Sequence, residues 1–443
     1  MKASRYATKK TDVAIIGAGA AGLAAGITAA RNHASVMLLD KNDMVGRKLL
    51  STGNGRCNFT NACQSSDCYH SCRPEIVKQI LDGFSVSDIL AFFEEIGVFP
   101  TQRNGYYYPY TNAAKDVRDC LSDEADRLGI TKCCPIQVEH IDFAADKGFL
   151  IHCVGEESFL LEAGKCILAT GGLAFPKSGS TGDGYRFARH FGHYIEKTRP
   201  ALVELFCKES FFRSLKGIRL TAAVCIYTDN RIQAQDMGEV QLTATGISGI
   251  PVFNVSFAAI RAIDAGKTVF AALNFLPMLD DVETTALLKR RFWEHGDKKT
   301  SAEALRGLFL PALIRVLLNA CHLKGNRPAS SLSLPDLKRL SRTIQDFRVT
   351  VSGHGSYEKA QTTAGGVSLS DINPLSMEST KQSGLYFCGE LLDVDGICGG
   401  YNLTFAWSSG YLAGRAAAIS HQNNGIIREA IAGTNRIGKA KKR

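Results

Sequence analysis

The sequence contains no run of about 18 apolar residues, the length that an α-helix needs to cross a bilayer, so it predicts no membrane-spanning helix. Internal repeats and low-complexity segments are also absent from the sequence. What is present is ordinary globular composition: 443 residues, of which 45% are hydrophobic and 21% are charged. A chain of this length predicts two or three domains, because single hydrophobic cores stop growing at roughly 250–300 residues.

The N-terminal stretch MKASRYATKKTDVAIIGAGAAGLAAG has the basic start and the small apolar residues of a signal peptide, but Asp12 interrupts it. The 14 cysteines are scattered over a long chain, whereas disulfide scaffolds are typical of short secreted chains. We therefore expect reduced thiols and a cytoplasmic protein.

The charge is moderately basic, with 52 Lys and Arg against 43 Asp and Glu and a net charge of +9. Part of this excess lies in the C-terminal tail, as Arg436, Lys439, Lys441, Lys442 and Arg443. Such a tail can contact RNA or anionic surfaces, but more often it is a solvated terminus. We favour the solvated terminus and expect a small-molecule substrate, with neither a nucleic acid nor a membrane as partner.

Near the N-terminus a glycine motif joins a strand to a helix. The run TDVAII predicts a buried strand, Gly17, Gly19 and Gly22 follow in G-x-G-x-x-G spacing, and AAGLAAGITAARN continues as a small-residue helix. In a dinucleotide fold these glycines permit a tight turn, close approach of the backbone to a pyrophosphate, and close helix–strand packing, in that order. The helix N-terminus, with Ala20 and Ala21 in its first turn, offers free N–H groups to the phosphates.

An acidic residue ends the second strand of this unit, ASVMLLD. Asp40 lies 18 residues beyond Gly22 and is placed to accept hydrogen bonds from ribose hydroxyls. An acid at this position disfavours a 2′-phosphate, so the pattern predicts FAD or NAD rather than NADP. We assign the adjacent Lys41 to the same cofactor site.

Two later segments favour FAD. KCILATGG (165–172) predicts a buried strand that ends in Thr170, Gly171 and Gly172. GLYFCGELLDVDGICGGYNLTFAWSSGYLAG (384–414) predicts a strand, an acidic turn, a Gly-Gly loop and a small-residue helix. Such a return to the first domain is typical of FAD enzymes of the glutathione-reductase type, whose long cofactor runs between two strand ends.

Within the second segment, Gly389 and Glu390 would place a carboxylate on the ribityl hydroxyls. The following loop would bring a helix N-terminus near flavin N1 and O2, where negative charge accumulates on reduction. The residues of this loop that we assign to the cofactor are Asp395, Gly400, Tyr401, Asn402 and Leu403. On its own the acidic part would be explained as a solvated turn, but three elements in the correct order favour the flavin.

The set of motifs resembles one bacterial flavoprotein family, which includes aminoacetone oxidases and a bile-acid 3-oxo-Δ4,6 reductase. The segments that carry the resemblance are GRKLLSTGNGRCNFTN (46–61), FPKSGSTGDGYRFA (175–188), TATGISGIP (243–251), AQTTAGGVSL (360–369) and GELLDVDGICGGYNLTFAWSSGY. The resemblance runs from about residue 11 to about residue 418. It implies the fold and a noncovalently bound FAD more firmly than it implies the substrate.

By this resemblance, residues 46–61 form the loop that leaves the second strand and wraps the FAD. Its glycines would allow close backbone approach and its basic residues would neutralise phosphate or flavin charge, while Asn58 and Asn61 would hold its shape. The loop residues assigned to the cofactor are Arg47, Lys48, Ser51, Gly53, Asn54, Gly55, Arg56, Cys57 and Asn58. Cys57 fits a packed small hydrophobe better than a modulator of the flavin. The resemblance also places residues 245–249 on the far side of the flavin ring.

Cys63 and Cys68 form a C-x4-C, the spacing of the redox pair in flavin disulfide reductases, but the intervening Gln-Ser-Ser-Asp is not the apolar setting of those pairs. With His70 and Cys72 they also suggest zinc ligands, yet no second C-x-x-C or H-x-x-x-H completes a set. Both patterns are better explained by chance in a chain with 14 cysteines. We therefore predict no metal site and no catalytic thiol pair.

The motifs together predict an α/β fold built on a Rossmann-type, glutathione-reductase-like FAD-binding domain. Its two parts are residues 1–195 and 350–425, a β-rich and then helical cap or substrate region is inserted at 196–349, and 426–443 is the basic tail. The nearly apolar segment 304–323 is expected to be a core or interface helix. No second G-x-G-x-x-G occurs in the insertion, so NAD(P)H would be a transient reductant rather than a resident cofactor.

These features predict an FAD-dependent oxidoreductase that uses NAD(P)H to reduce a C=C bond conjugated to a ketone, as in a 3-oxo-Δ4 bile-acid or steroid intermediate. Such a reaction needs a proton donor for the α-carbon. Tyr401 is our candidate, with Tyr106, Tyr107 and Tyr108 as alternatives. Two other functions stay open: an amine oxidase of the aminoacetone type that passes electrons to O2, and an FAD-bearing RNA-binding or RNA-modifying protein, for which the basic tail is the support.

Overall fold

The structure is a computed structural model that describes residues 7–296 and 298–419. Pro200–Gln361 forms one compact unit, and the flanking parts of the chain, up to Arg199 and from Thr362, form the other. Within the described ranges no helix has both the length and the apolar character that crossing a bilayer requires. The basic tail lies outside the described residues.

The strands are numbered in chain order. They are β1 Ala7–Ile16, β2 Val36–Leu39, β3 Thr60–Asn61, β4 Tyr69–His70, β5 Pro100–Arg103, β6 Tyr106–Pro109, β7 Thr131–Cys133, β8 Gln137–Ala144, β9 Gly148–Val154, β10 Phe159–Leu168, β11 Ile195–Ala201, β12 Leu205–Cys207, β13 Arg219–Thr228, β14 Arg231–Leu242, β15 Gly246–Ser248, β16 Val269–Asn274, β17 Phe347–His354, β18 Thr362–Val367, β19 Leu385–Phe387 and β20 Asp395–Gly396.

The α-helices are numbered in the same way. They are α1 Ala20–Arg31, α2 Pro74–Gly83, α3 Val86–Glu95, α4 Ala114–Arg127, α5 Asp183–His190, α6 Phe212–Leu215, α7 Ile250–Asp264, α8 Asp281–Lys289, α9 Ser301–Ala304, α10 Pro311–Ala320, α11 Leu334–Gln345 and α12, which covers 401–419.

The flanking unit is built on a mixed sheet with the strand order β7-β2-β1-β10-β9-β8 and with β19 beside β10. β1 pairs in parallel with β2 and β10, and β10 pairs in parallel with β19. The glycine turn and α1 connect β1 to β2, and the last four residues of β1 are buried. A β-turn-α-β unit on a parallel sheet is the arrangement that the sequence predicts, and the Rossmann-type α/β fold is confirmed.

The register of the parallel strands brings their carboxyl ends level with one another. Ile16 at the end of β1 is the partner of Leu39 in β2 and of Leu168 in β10, and Leu168 is the partner of Phe387 in β19. In open α/β sheets ligands bind outside these carboxyl ends. The four loops that follow the strands start side by side and begin with Gly17, Asp40, Ala169 and Cys388.

Helix α12 packs closely on α1. A Cβ at Gly410 would lie 2.4 Å from the carbonyl oxygen of Ala21, and a Cβ at Gly414 would lie 2.2 Å from that of Ala25. Only glycine permits this approach, because any side chain at either position would overlap the α1 backbone. The predicted small-residue helix at the far end of the chain therefore returns to the helix that follows the first strand.

The unit Pro200–Gln361 contains a closed barrel of six strands in the order β12-β15-β14-β13-β16-β17. Helix α7 lies between β15 and β16 in the sequence, and α8 to α11 lie between β16 and β17. The barrel strands and these helices share one hydrophobic cluster, which includes Val224, Val255, Leu288 and Leu317.

The expectation of one helix over 304–323 is wrong. Helix α9 ends at Ala304 and α10 begins only at Pro311. Between them Gly307 has a left-handed backbone conformation, with a φ of +81°. Proline fits the first position of a helix but drives the preceding residue out of the helical region, and Leu310 has an extended conformation with a ψ of 151°.

Candidate functional site

The glycine turn has two glycines that contact protein and one that faces open space. A Cβ at Gly17 would lie 2.4 Å from the carbonyl oxygen of Ala169, and a Cβ at Gly22 would lie 1.9 Å from that of Gly17. Among the described residues, a Cβ at Gly19 would meet nothing within 4 Å. No side chain of residues 7–296 or 298–419 caps the N-terminus of α1 that follows Gly19. This open position with free N–H groups suits a pyrophosphate.

Asp40 fixes the glycine turn to the end of β2. Its Oδ2 accepts the N–H of Ala18 at 2.8 Å, and its Oδ1 accepts the backbone N–H and the side-chain amide of Asn42, each at 2.8 Å. A carboxylate has about four acceptor positions, so these three bonds leave capacity for a further donor. The structure thus places Asp40 beside the turn, and its contact with a ribose stays a prediction.

Lys48 and Glu390 bring two of the predicted segments together. The Nζ of Lys48 lies 2.6 Å from Oε2 of Glu390, and the two side chains are 24% and 20% exposed. The other oxygen of Glu390, Oε1, accepts both the backbone N–H of Thr363 at 3.1 Å and its hydroxyl at 3.0 Å. The Glu390 carboxylate is therefore held in one orientation by a charge and two hydrogen bonds.

Thr363 extends this network to the predicted loop at 170–172. Its hydroxyl oxygen accepts the N–H groups of Leu173 at 2.8 Å and Ala174 at 2.9 Å. A Cβ at Gly172 would lie 2.4 Å from the same hydroxyl oxygen. Thr363 is not among the residues assigned to the site from the sequence, although it lies in AQTTAGGVSL, one of the segments that carry the resemblance.

The loop 46–61 is irregular, as its composition predicts. Two 3-10 turns within Arg47–Gly55 are separated by a kink at Thr52, Gly53 and Asn54. Both Gly53 and Asn54 have left-handed backbone conformations, with φ values of +55° and +54°. The Ser51 hydroxyl donates to the carbonyl of Lys48 at 2.9 Å.

Cys57 is a packed thiol within this loop. It is fully buried, and burial raises the pKa of its thiol to about 12, against a hydrogen bond with Thr52 that lowers it. A thiol with this pKa carries no thiolate at neutral pH and is unreactive. This agrees with the interpretation of Cys57 as a small hydrophobe.

The two asparagines that follow Cys57 behave differently. Asn61 donates from Nδ2 to the carbonyl of Gly399 at 3.0 Å and accepts the N–H of Cys63 at 3.0 Å, so it ties the loop to the Gly-Gly loop. The Oδ1 of Asn58 is buried and has no hydrogen-bond partner among the described residues. A Cβ at Gly400 would lie 3.0 Å from this oxygen. Buried acceptors are normally paired, so Asn58 offers an acceptor to a ligand beside Gly400.

Tyr401 begins α12 and is 6% exposed. Its carbonyl accepts the hydroxyl of Tyr69 at 3.2 Å, and the two rings meet edge to face at 5.7 Å. Its own hydroxyl is hydrogen-bonded to the thiol of Cys68. Burial raises the pKa of Tyr401 above its ordinary value, so the hydroxyl keeps its proton at neutral pH.

Asp395 and His70 form a partly buried pair next to Tyr401. The Nδ1 of His70 lies 3.0 Å from Oδ2 of Asp395, and β20 pairs with β4 so that the two residues are direct partners. Burial raises the pKa of Asp395, against the hydrogen bond from His70 that lowers it. Asn402 makes two bonds of 2.8 Å with the backbone of Gly396, one as acceptor and one as donor. Asp395 and Asn402, which the sequence assigns to the cofactor, therefore shape the loop through contacts with protein.

The three other basic residues that the sequence assigns to the cofactor site each have a different environment. Lys41 pairs with Asp183 at 2.6 Å. Arg47 lies 3.6 Å from Asp43. Arg56 is exposed. Their roles as phosphate or flavin contacts stay predictions.

The residues present fit an adenine dinucleotide with a flavin. The open position at Gly19 suits the pyrophosphate. The Oδ1 of Asn58, which has no partner in the part of the chain that the structure describes, and the fixed carboxylate of Glu390 offer acceptors in two of the other loops. A Rossmann-type sheet with these converging loops defines an FAD-dependent oxidoreductase. The chain belongs to the HI0933-like family, because the family model described as the HI0933-like protein Rossmann domain matches residues 11–416.

Several relatives match most of the chain. A 3-dehydro-bile acid delta(4,6)-reductase from Clostridium scindens is 40% identical over 411 residues, which are 92% of this chain and 98% of the relative. A ribosomal RNA dihydrouridine synthase from Escherichia coli K12 is 30% identical over 408 residues, which are 91% of this chain and 97% of the relative. The resemblance that the motifs indicate is thereby confirmed.

Among solved structures, an E. coli quinol fumarate reductase FrdA variant is similar, with a TM-score of 0.51 and 16% identity. The match covers 97% of this chain and 74% of that chain. At this identity the likeness shows the fold alone.

Proposed function

We propose that this protein is an FAD-dependent reductase that uses NAD(P)H to reduce a C=C bond conjugated to a ketone on a steroid-like acid. The observation that carries this proposal is the 40% identity, over 92% of the chain, to a protein named 3-dehydro-bile acid delta(4,6)-reductase. Tyr401, buried and protonated beside the loops that would hold the flavin, is consistent with a reaction that needs a proton donor.

We assign the parts of FAD to four groups of the candidate site. The N-terminus of α1 at Gly19 would bind the pyrophosphate and Asp40 would accept from the adenosine ribose. Glu390 would accept from the ribityl hydroxyls, and Asn58 would accept from the flavin edge. When bound, FAD supplies the hydride chemistry.

Lys48 and Thr363 act on Glu390 rather than on the cofactor. Because they hold the carboxylate in one orientation, little side-chain entropy is lost when Glu390 binds hydroxyls. Thr363 also fixes the 170–172 loop through the N–H groups of Leu173 and Ala174. These residues keep the site ordered before a cofactor binds.

Tyr401 is the proposed donor of the proton that the α-carbon receives. Its hydroxyl is neutral at physiological pH and is oriented by the Cys68 thiol. His70, whose Nδ1 lies 3.0 Å from Oδ2 of Asp395, was given no catalytic role from the sequence. Hydrogen-bond donors that polarise the substrate carbonyl would stabilise the developing enolate.

Turnover with defined substrates tests the proposal. Purified enzyme, NADH or NADPH, and a 3-oxo-Δ4 bile acid should give a product heavier by two hydrogen atoms, with loss of the enone absorbance. Tyr401→Phe should keep the flavin spectrum and slow turnover by about a hundredfold, or roughly 2.7 kcal/mol of barrier. Absence of product with either nucleotide and a range of steroid enones would contradict the proposal.

A second candidate is reduction of uracil in ribosomal RNA. It is favoured by two relatives named ribosomal RNA dihydrouridine synthase, from E. coli at 30% identity and from Haemophilus influenzae at 29%. The C5=C6 bond of uracil is also conjugated to a carbonyl, so the same chemistry would serve. Incubation with rRNA transcripts and NAD(P)H, followed by nucleoside mass spectrometry, decides between the candidates: dihydrouridine formation supports this one, and its absence leaves the steroid enone.

A further inference from the structure

Four polar side chains gather on the outer surface of the mixed sheet, where β8, β9 and α5 meet. His140 and Asp142 are two residues apart on β8 and therefore point to the same face. His152 on β9 is the direct cross-strand partner of His140. His190 is the last residue of α5. We call this set the histidine cluster.

The three imidazoles of the histidine cluster converge on one carboxylate. The Nε2 of His140 lies 2.8 Å from Oδ1 of Asp142, and the Nε2 of His190 lies 3.8 Å from the same oxygen. The Nε2 of His152 lies 3.8 Å from the other oxygen, Oδ2. The rings of His140 and His190 are 5.0 Å apart, centroid to centroid.

We propose that the histidine cluster binds Zn²⁺, with His140, Asp142 and His190 as ligands and His152 as the fourth. Imidazole nitrogens and a carboxylate oxygen are zinc ligands, and a tetrahedral site with bonds of roughly 2.0–2.1 Å places its ligand atoms roughly 3.3 Å apart. The observed separations of 2.8 and 3.8 Å fall on either side of that value. The ligand atoms of the first three residues all lie within 4.8 Å of one another.

Access and placement favour this site. The four side chains are between 44% and 46% exposed, so an ion can enter from solvent without unfolding. The Nε2 of His152 lies 3.8 Å from Oδ2 of Asp142, so its side chain would have to rotate to reach an ion held by the other three ligands. A bound ion would link the β8–β9 hairpin to the end of α5 and stabilise the folded chain by mass action.

The site is separate from the strand ends that are assigned to FAD. The short ligand spacings around Cys63 and Cys72 are incomplete, so the sequence predicts no metal site. The ligands of the histidine cluster are spread from position 140 to position 190 and become neighbours only through the β8–β9 pairing and the docking of α5.

Zinc titration of the FAD-loaded full chain tests the proposal. After removal of metal with a chelator, competition against a chromogenic zinc indicator should show one tightly bound Zn²⁺ per chain, with micromolar or stronger affinity. His140→Ala and His190→Ala should each weaken binding about tenfold or more. Zn²⁺ should raise the melting temperature of the wild type and leave that of a variant carrying both His140→Ala and His190→Ala unchanged.

Two control variants distinguish this site from other ligands in the chain. His295→Ala removes an exposed imidazole outside the histidine cluster. Cys72→Ser changes the alternative group of Cys72, Glu196 and Asp393, whose ligand atoms also lie within 4.8 Å of one another. Both should bind Zn²⁺ as the wild type does. No zinc uptake by the wild type, uptake that persists in the His140→Ala/His190→Ala double variant, or loss of uptake in Cys72→Ser would each overturn the proposal.

Discussion

Lys48 and Glu390 form an ion pair of 2.6 Å between Nζ and Oε2, although they lie 342 residues apart in the sequence. Through this pair the loop after the second strand of the Rossmann unit is joined to the loop after the strand that returns from the far end of the chain. Both side chains are less than a quarter exposed, so solvent screens the pair only in part.

Glu390→Gln is expected to weaken FAD binding about tenfold, or about 1.4 kcal/mol. The amide can still accept from Thr363, but the ion pair with Lys48 is lost and the side chain is less firmly held. Fluorescence titration of the apoprotein with FAD measures the effect. Glu162→Gln is the matched control, because Glu162 pairs with Lys10 at 3.0 Å on the same sheet but away from the strand ends. Equal affinities in the two variants would exclude Glu390 from the cofactor site.

Asp40→Ala should reduce FAD retention more than Cys63→Ser does. The change removes the acceptor of the Ala18 N–H bond and the proposed acceptor of the ribose hydroxyls, while Cys63 is exposed beyond the loop. A loss of at least tenfold in FAD affinity is expected for the first variant. The flavin content after gel filtration provides the measurement, and the same content in both variants would contradict the ribose assignment.

Trp407→Phe is expected to destabilise the fold by about 1–3 kcal/mol, because it leaves a buried carbonyl without its donor. Trp407 is fully buried and donates from Nε1 to the carbonyl of Phe59 at 2.9 Å. Trp293→Phe is the control: it removes a bond of the same length, to the carbonyl of Leu332, but from a side chain that is 39% exposed. Water can replace the second bond, so urea unfolding should show the larger loss for Trp407. A larger loss for Trp293 would contradict this account of α12.

Asp393 should make stability depend on pH. Burial raises the pKa of this carboxyl from 3.8 to about 6, against hydrogen bonds from Cys72 that lower it. Because the pKa is higher in the folded chain, the folded state keeps a proton that the unfolded chain has already lost. The contribution is therefore favourable at low pH and is lost as the pH rises from about 4 through about 6, by up to about 3 kcal/mol.

Asp393→Asn removes this titration and can still accept the N–H of Cys72. The free energy of unfolding of the variant, relative to the wild type, should rise between pH 4.5 and pH 7. Asp146→Asn, on an exposed turn, provides the control for a general effect of charge. A relative stability of Asp393→Asn that falls over this range would show that the sign of the pKa shift is wrong.

The parts of the site that sequence could predict are those with local causes. Gly22 is required by its contact with the carbonyl of Gly17, and Gly17 has a φ of +101° that favours glycine, so both have a cause within one strand-turn-helix unit and their spacing identifies them. Thr363 was missed because its partners are set by the fold: it bonds to Leu173 and Glu390, which are distant in the sequence.

The prediction of one helix over 304–323 is wrong for a different reason. Most of its apolar residues lie in the core, although Leu310 is exposed. Gly307 and Pro311 interrupt the helix, and our prediction gave the hydrophobic pattern more weight than these two residues. The histidine cluster could not be predicted, for the same reason as Thr363. Its residues are distant in the sequence and become neighbours only through strand pairing.

The most direct test of the central claim is the reoxidation of reduced enzyme, followed by flavin absorbance in a stopped-flow instrument without oxygen. After reduction with NADH or NADPH, addition of a 3-oxo-Δ4 bile acid should restore the absorbance of oxidised flavin within the turnover time, and Tyr401→Phe should slow this phase. The account is contradicted if the steroid leaves the enzyme reduced while amines reduce the oxidised flavin and oxygen rapidly reoxidises it, which is the behaviour of an amine oxidase.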